Sequence, residues 1–337
     1  MSKVAILGSG AWGTALAIHA ARMAHSVTMW AFEQEVANEI QQQHTNSTYL
    51  PAFVLPSSIQ ATVDLAEAVV SAEVVILVCP SKYLRDLCSQ LAQCLPSQAI
   101  VLVATKGIEP SSLKFGSGIL DDTLPHVGYE RRAVLSGPSF AKEVAHGRPT
   151  DVVVASKAMI AAKKIQPLLH GARFRVYASA DPIGVEVGGA LKNVIAIAMG
   201  ACDRLQLGHN ARAALMTRGL AEMTRLGVPL GADPLTFLGL AGVGDLILTC
   251  TGELSRNRTL GWNIAEGVDP HSFLESRRSV AEGFLTSRAA YELAQLHKID
   301  MPITEQVYHV LHQGRPLHEA VQQLIERNFK EELQGIR

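Results

Sequence analysis

Lys192 is the only charged residue between Val187 and Ala201, in a proline-free apolar run whose pattern predicts a helix. At helical spacing Gly188 and Gly189 lie one turn before it and Ala196 one turn after. Two adjacent glycines inside a helix cost about 1 kcal/mol each relative to alanine, so this face is expected to receive another segment against its backbone. An ammonium taken out of water has its charged form disfavoured and its pKa lowered, which suits it to giving and taking a proton near neutrality. The plainer alternative is a core helix whose lysine reaches the surface along its own methylenes. Asp245 is isolated in the same way, the only charge from Pro234 through Thr251. A buried carboxylate needs a partner, and Lys192 is the obvious candidate, with capping of the following helix as the alternative.

Three further clusters carry polar chemistry. Ser255-Arg256-Asn257-Arg258 opens a predicted helix with a hydroxyl, two guanidiniums and an amide, a set suited to a phosphate monoester or else to a solvated basic turn. Lys106 follows one predicted strand, and Ser136-Gly137-Pro138-Ser139 follows another, with Ser139 either meeting a ligand or capping the next helix. Near the start of the chain, Gly8-Ser9-Gly10-Ala11-Trp12-Gly13 stands between a strand, Lys3 to Leu7, and a helical pattern from Thr14 to Met23. In that order the motif reads as a dinucleotide site. Gly8 permits the tight turn, Gly10 lets backbone amides approach a pyrophosphate, and Gly13 lets helix and strand pack closely. The second strand, Ser26 to Trp30, leads to Phe32 and Glu33, and an acidic residue about 20 positions past the glycines is placed to hold a ribose hydroxyl.

The elements that must position these residues fall into two groups. Strand-like runs at Val74 to Cys79, Ala99 to Ala104, Ala133 to Leu135, Asp151 to Ala155 and Phe174 to Tyr177 alternate with helical patterns. Residues 1–183 therefore read as a doubly wound, Rossmann-type α/β domain with a mostly parallel sheet. From Gly184 the periodicity is helical throughout, so residues 184–337 are expected to form an all-helical domain that the lysine helix opens.

Composition narrows the classes further. Thirty Lys and Arg against 31 Asp and Glu leave a net charge of -1, so no bulk field draws the chain to nucleic acid or an anionic membrane. No apolar run reaches the ~18 residues needed to span a bilayer, and membrane insertion is not expected. The five cysteines show no metal-ligand spacing, no metal site is expected, and reduced thiols point to the cytoplasm.

Taken together, Gly8-Ser9-Gly10-Ala11-Trp12-Gly13-Thr14-Ala15, Ala104-Thr105-Lys106-Gly107, Ser136-Gly137-Pro138-Ser139-Phe140-Ala141, Gly188-Gly189-Ala190-Leu191-Lys192-Asn193, Gly244-Asp245-Leu246 and Ser255-Arg256-Asn257-Arg258 resemble the bacterial NAD(P)-dependent glycerol-3-phosphate dehydrogenase family over almost the whole length. The resemblance implies reversible reduction of dihydroxyacetone phosphate to sn-glycerol 3-phosphate, the backbone precursor of phospholipids. It implies that Lys192 is the proton donor and acceptor, with Asp245 beside it. It places Lys106, Gly137, Ser139, Asp245, Ser255, Arg256 and Asn257 at the substrate, joined by Thr249 one turn past Asp245. Ala11, Trp12, Tyr49, Lys106, Ala141, Arg256, Val280 and Glu282 fall at the cofactor. The chain departs from the pattern at Phe32, where many relatives carry arginine or histidine. NADP preference is thereby in doubt, and NAD is expected to serve at least as well as NADP. A small-molecule substrate is expected and a homodimer is compatible with the sequence. The competing readings are a two-domain dehydrogenase of another hydroxyacid and a dinucleotide-binding regulator without turnover.

Overall fold

The computed structural model describes residues 1–275, 281–327 and 331–332. The chain divides into two compact units, one of Met1–Thr105 with Gly116–Pro182 and one of Lys106–Phe115 with Ile183–Arg337.

The first unit is built on an eight-stranded sheet of β1 (Lys3–Leu7), β2 (Ser26–Trp30), β3 (Ile59–Thr62), β4 (Val74–Leu77), β5 (Ile100–Val103), β6 (Arg132–Ser136), β7 (Thr150–Ala155) and β8 (Phe174–Ser179). Its spatial order is β3-β2-β1-β4-β5-β6-β7-β8. Every pairing is parallel except β6 with β7, which is antiparallel. The central strands β4 and β5 read Val-Val-Ile-Leu and Ile-Val-Leu-Val and are buried at every position, as strands covered on both faces must be. Strand β3, Ile-Gln-Ala-Thr, carries no such signal: it is a short, half-polar edge strand and went unseen in the sequence. The strand order reverses at β1, between β2 and β4, and the glycine-rich turn leaves the carboxyl end of β1, where ligands of doubly wound sheets lie. The helices of this unit are α1 (Ala11–Arg22), α2 (Gln34–Gln43), α3 (Leu65–Val69), α4 (Leu84–Leu91), α5 (Gly116–Thr123), α6 (Ala141–Ala145) and α7 (Ile160–Leu169).

The second unit is helical: α8 (Pro182–Arg204), α9 (His209–Gly227), α10 (Asp245–Thr251), α11 (Arg256–Ala265), α12 (Pro270–Glu275), α13 (Glu282–His297), α14 (Pro302–Gln313) and α15 (Leu317–Ile325). A single cut at residue 183 leaves Lys106–Phe115 with the sheet, whereas packing joins that segment to the helices. Ile108 is wholly buried in the helical core, with Leu113 and Phe115 packed against it. Helix α8 also corrects the expectation about membrane spans. Its 23 residues are long and apolar enough to cross a bilayer, but 94% of its most apolar window is buried inside the protein, as in the central helix of a core.

Glycines set how closely other segments approach α8. A Cβ on Gly188 would lie 2.2 Å from the carbonyl oxygen of Ala241, in the wide turn Leu240–Gly244, and one on Gly200 would lie 1.9 Å from the carbonyl oxygen of Arg258. Reciprocally, a Cβ on Gly261 of α11 would lie 1.8 Å from the carbonyl oxygen of Ile197. The glycine-bearing face thus does receive other backbones, as the sequence predicted. In Gly188→Ala the gain in helix propensity is about 1 kcal/mol. The overlap is with backbone, so the turn must move, at a cost of about 1–3 kcal/mol or more. A lower melting temperature than wild type is expected in thermal unfolding, and an equal or higher one would show that the turn is free to yield.

Candidate active site

In the first unit the three glycines differ in what surrounds them. Gly8 has φ +128°, and its Cβ position lies 3.0 Å from the Val78 backbone beyond β4. Gly13 would place a Cβ 2.0 Å from the Gly8 carbonyl oxygen, so α1 packs directly on the turn. At Gly10 a Cβ would meet nothing within 4 Å, leaving open space at the N-cap of α1. That N-cap offers no side chain to the first-turn amides, and no acidic residue lies in the turn. Ala11 and Trp12 form the first residues of α1, and both pack against the sheet core. The arrangement fits a pyrophosphate: exposed space beside a helix N-terminus with no competing carboxylate. Beyond β2, Phe32 is 81% exposed and meets Trp30 edge to face at 6.4 Å. Glu33 is the N-cap residue of α2, and its carboxylate accepts a 2.6 Å hydrogen bond from the Tyr49 hydroxyl. After β6, Gly137 has φ +125° and packs against Val152. Ser139 does not cap α6: Phe140 occupies the N-cap position without a side-chain bond, Ala141 begins the helix, and the Ser139 hydroxyl donates to the Gly137 carbonyl at 2.9 Å.

In the second unit the backbone contact at Gly188 has a direct consequence. Lys192 is four residues beyond Gly188 and Asp245 four beyond Ala241, so one turn along from the contact the two side chains meet. The Lys192 ammonium donates to Asp245 Oδ1. Lys106 Nζ donates to Oδ2 of the same carboxylate at 2.9 Å, and the Thr249 hydroxyl donates to Oδ1 at 3.3 Å. Asp245 is fully buried and Lys192 only 7% exposed, whereas Lys106 is more open. Asp245 is the first residue of α10 but does not cap it. Burial pulls the Lys192 pKa down to about 8, with Asp245 opposing and Lys106 reinforcing the shift. Burial would raise the Asp245 pKa, but the two ammonium groups outweigh it and hold the carboxylate below its ordinary value. The result is a lysine poised to change charge near neutrality beside a carboxylate that stays ionised.

The start of α11 is more divided than its sequence implies. Ser255 is the N-cap, its hydroxyl accepting from the Arg258 amide. Arg258 is held by Asp203 at 2.7 Å, which leaves Arg256 as the exposed guanidinium. Glu282 at the start of α13 acts electrostatically on Arg256. Asn257 is buried: its Nδ2 donates to Asn193 Oδ1 at 2.8 Å and its Oδ1 accepts from the Gly283 amide at 3.0 Å. Val280 lies outside the described residues. Sequence reasoning missed Asn193, which stands next to Lys192 and ties α8 to Asn257; a buried amide adjoining the isolated lysine was the available signal. It also missed Asn46, which bonds to the glycine turn and whose polar surroundings carry no periodicity.

Residues 3–162 match the NAD-dependent glycerol-3-phosphate dehydrogenase N-terminus and residues 181–322 the C-terminus of the same family. The chain is 47% identical over 330 residues to a glycerol-3-phosphate dehydrogenase (NAD(P)+) of Geobacter sulfurreducens, covering 98% of both. It is 46% identical over 336 residues to the protein of that name from Halalkalibacterium halodurans, covering 100% of this chain and 97% of the other. The crystal structure of glycerol-3-phosphate dehydrogenase from Coxiella burnetii superposes with a TM-score of 0.92 at 40% identity, over 97% of this chain and 99% of that one. With both halves of the family matched and full-length relatives at 46–47% identity, the chain belongs to the NAD-dependent glycerol-3-phosphate dehydrogenase family.

Proposed function

We propose that this chain reversibly reduces dihydroxyacetone phosphate to sn-glycerol 3-phosphate with NADH or NADPH, and that Lys192 carries the proton. The observation that supports Lys192 most directly is its buried ammonium on Asp245, a carboxylate shared with Lys106. The dinucleotide supplies the hydride. In reduction, Lys192 as ammonium donates a proton to the oxygen of the ketone as charge develops there; in oxidation, neutral Lys192 takes it from the hydroxyl. Asp245 orients the amine, and Thr249 and Lys106 orient Asp245. Lys106 keeps the local charge positive where a substrate anion would gather.

Arg256, Asn257 and Ser255 are the proposed phosphate contacts, with Lys106, Gly137 and Ser139 at the rest of the substrate. Arg256 is the exposed fork at the helix start, and binding energy spent on a remote phosphate fixes the reacting carbon. Gly8, Gly10, Ala11, Trp12, Gly13, Phe32, Glu33, Tyr49, Ala141 and Glu282 are the proposed cofactor contacts, with Lys106 and Arg256 touching both ligands. The sn-glycerol 3-phosphate formed supplies phospholipid synthesis. Four buried thiols and one partly buried one suit a reducing compartment, and the cytoplasm is the proposed location.

Lys192→Met should retain cofactor affinity while turnover falls by about 10²–10⁴-fold. In the wild type, dihydroxyacetone phosphate reduction should decline as pH rises through about 8, because the ammonium is lost, while glycerol 3-phosphate oxidation rises over the same interval. A variant with most of its activity, or profiles flat through that interval, would remove Lys192 from proton transfer. Arg256→Ala should raise KM for dihydroxyacetone phosphate steeply and erase discrimination against unphosphorylated dihydroxyacetone. An unchanged preference would put the phosphate elsewhere. For the cofactor, the end of β2 presents Glu33 and no base, so NADH should be used at least as well as NADPH. A kcat/KM ratio favouring NADPH by more than about 10-fold would overturn that assignment.

A further inference from the structure

Asn46 is fully buried, and every polar atom of its side chain is engaged. Its Nδ2 donates to the Ser9 carbonyl oxygen and to Thr14 Oγ1, both at 2.8 Å, and its Oδ1 accepts from the Tyr49 amide at 3.2 Å. Thr14 closes the same ring, its hydroxyl lying 3.2 Å from the Ser9 oxygen and 3.0 Å from that of Gly10. One planar amide therefore grips the turn Gly8-Ser9-Gly10 and the segment that carries Tyr49.

The Ser9–Gly10 peptide is planar and trans, so its carbonyl and its N–H point in opposite directions. Drawing the Ser9 carbonyl toward Asn46 turns the Gly10 N–H the other way and keeps a partial negative charge from facing an anion in the turn. At its far end the same segment presents the Tyr49 hydroxyl to Glu33 at 2.6 Å. We propose that Asn46 is a positioning residue for dinucleotide binding, setting the phosphate-facing peptide of the glycine turn and the ribose-side Tyr49–Glu33 pair through one buried side chain. The proposal rests on the reading of that turn as the dinucleotide site. Asn46 is fully buried, so its proposed effect on the dinucleotide passes through the turn and the Tyr49 segment that it bonds.

The test is NADH titration by nucleotide fluorescence, with steady-state kinetics and circular dichroism on the same preparations of the full chain. If wild type itself fails to bind NADH, the dinucleotide reading fails, and the proposal with it. If wild type binds, Asn46→Ala should raise the NADH Kd by about 10-fold or more, because the Ser9 carbonyl loses its anchor. Its kcat at saturating NADH and its KM for dihydroxyacetone phosphate should stay within about twofold of wild type, a split expected when only ground-state cofactor binding is lost. Thr14→Val keeps the volume but removes the second anchor, and supplies the test if Asn46→Ala does not fold. It should raise the Kd alone by about threefold, and the double variant should be less than multiplicative, as for two partners of one network. An unchanged NADH Kd in the folded variants would overturn the proposal. So would a parallel loss of kcat and substrate affinity, which marks general damage.

Discussion

One ammonium kept out of water without losing its charge is the constraint on which the helical unit depends. Lys192 sits in a helix that is otherwise apolar for most of its length, and an isolated charge there would be untenable. Asp245 resolves this, and the pair is held by its backbones: Gly188 admits the carbonyl of Ala241, and the two charges follow one turn later. Lys106 on the other carboxylate oxygen keeps Asp245 ionised, while its own positive charge discourages that of Lys192. Removing one member of such a buried set typically costs about 3–5 kcal/mol, because the remaining charge is left uncompensated. The burial that makes the arrangement expensive is also what makes the lysine titrate near neutrality, with Lys106 adding to the shift and Asp245 limiting it.

The sheet unit solves a different problem with different means. Its glycine turn is shaped by what is missing: no Cβ at Gly10, where the space beside the N-cap of α1 stays open, and no Cβ at Gly13, where one would hold α1 off the turn. At the N-terminus of α1 the charge comes from backbone dipoles, with no acidic side chain in the first turn, an arrangement that favours an anion.

Much of this was legible in the sequence, for reasons that also explain the failures. Fully apolar strands such as Val74–Leu77 declare themselves, and a lone lysine or aspartate in an apolar run is conspicuous because burial of charge is costly. The edge strand Ile59–Thr62 is short and half polar, so periodicity has little to act on. The move of Lys106–Phe115 into the helical unit was invisible because it depends on where Ile108 finds its core, a tertiary fact. The bonds of Asn46, Asn193 and Arg258 went unread for the same reason, since their partners lie 32, 64 and 55 residues away. The roles proposed for residues such as Glu282 and Ser255 rest on the resemblance, since their types alone are compatible with ordinary helix starts.

The glycine contacts along α8 bear on how this chain can vary. At Gly200 and Gly261 two helices approach through carbonyl oxygens that would lie under 2 Å from any added Cβ, so the smallest possible side chain is already too large. Polar positions on the surface offer an evolving sequence many substitutes of similar cost; these positions offer none that leaves the helices in register. The deepest mutational intolerance in the helical unit should therefore fall on residues that have no functional group, and a survey that ranks positions by chemistry would overlook them.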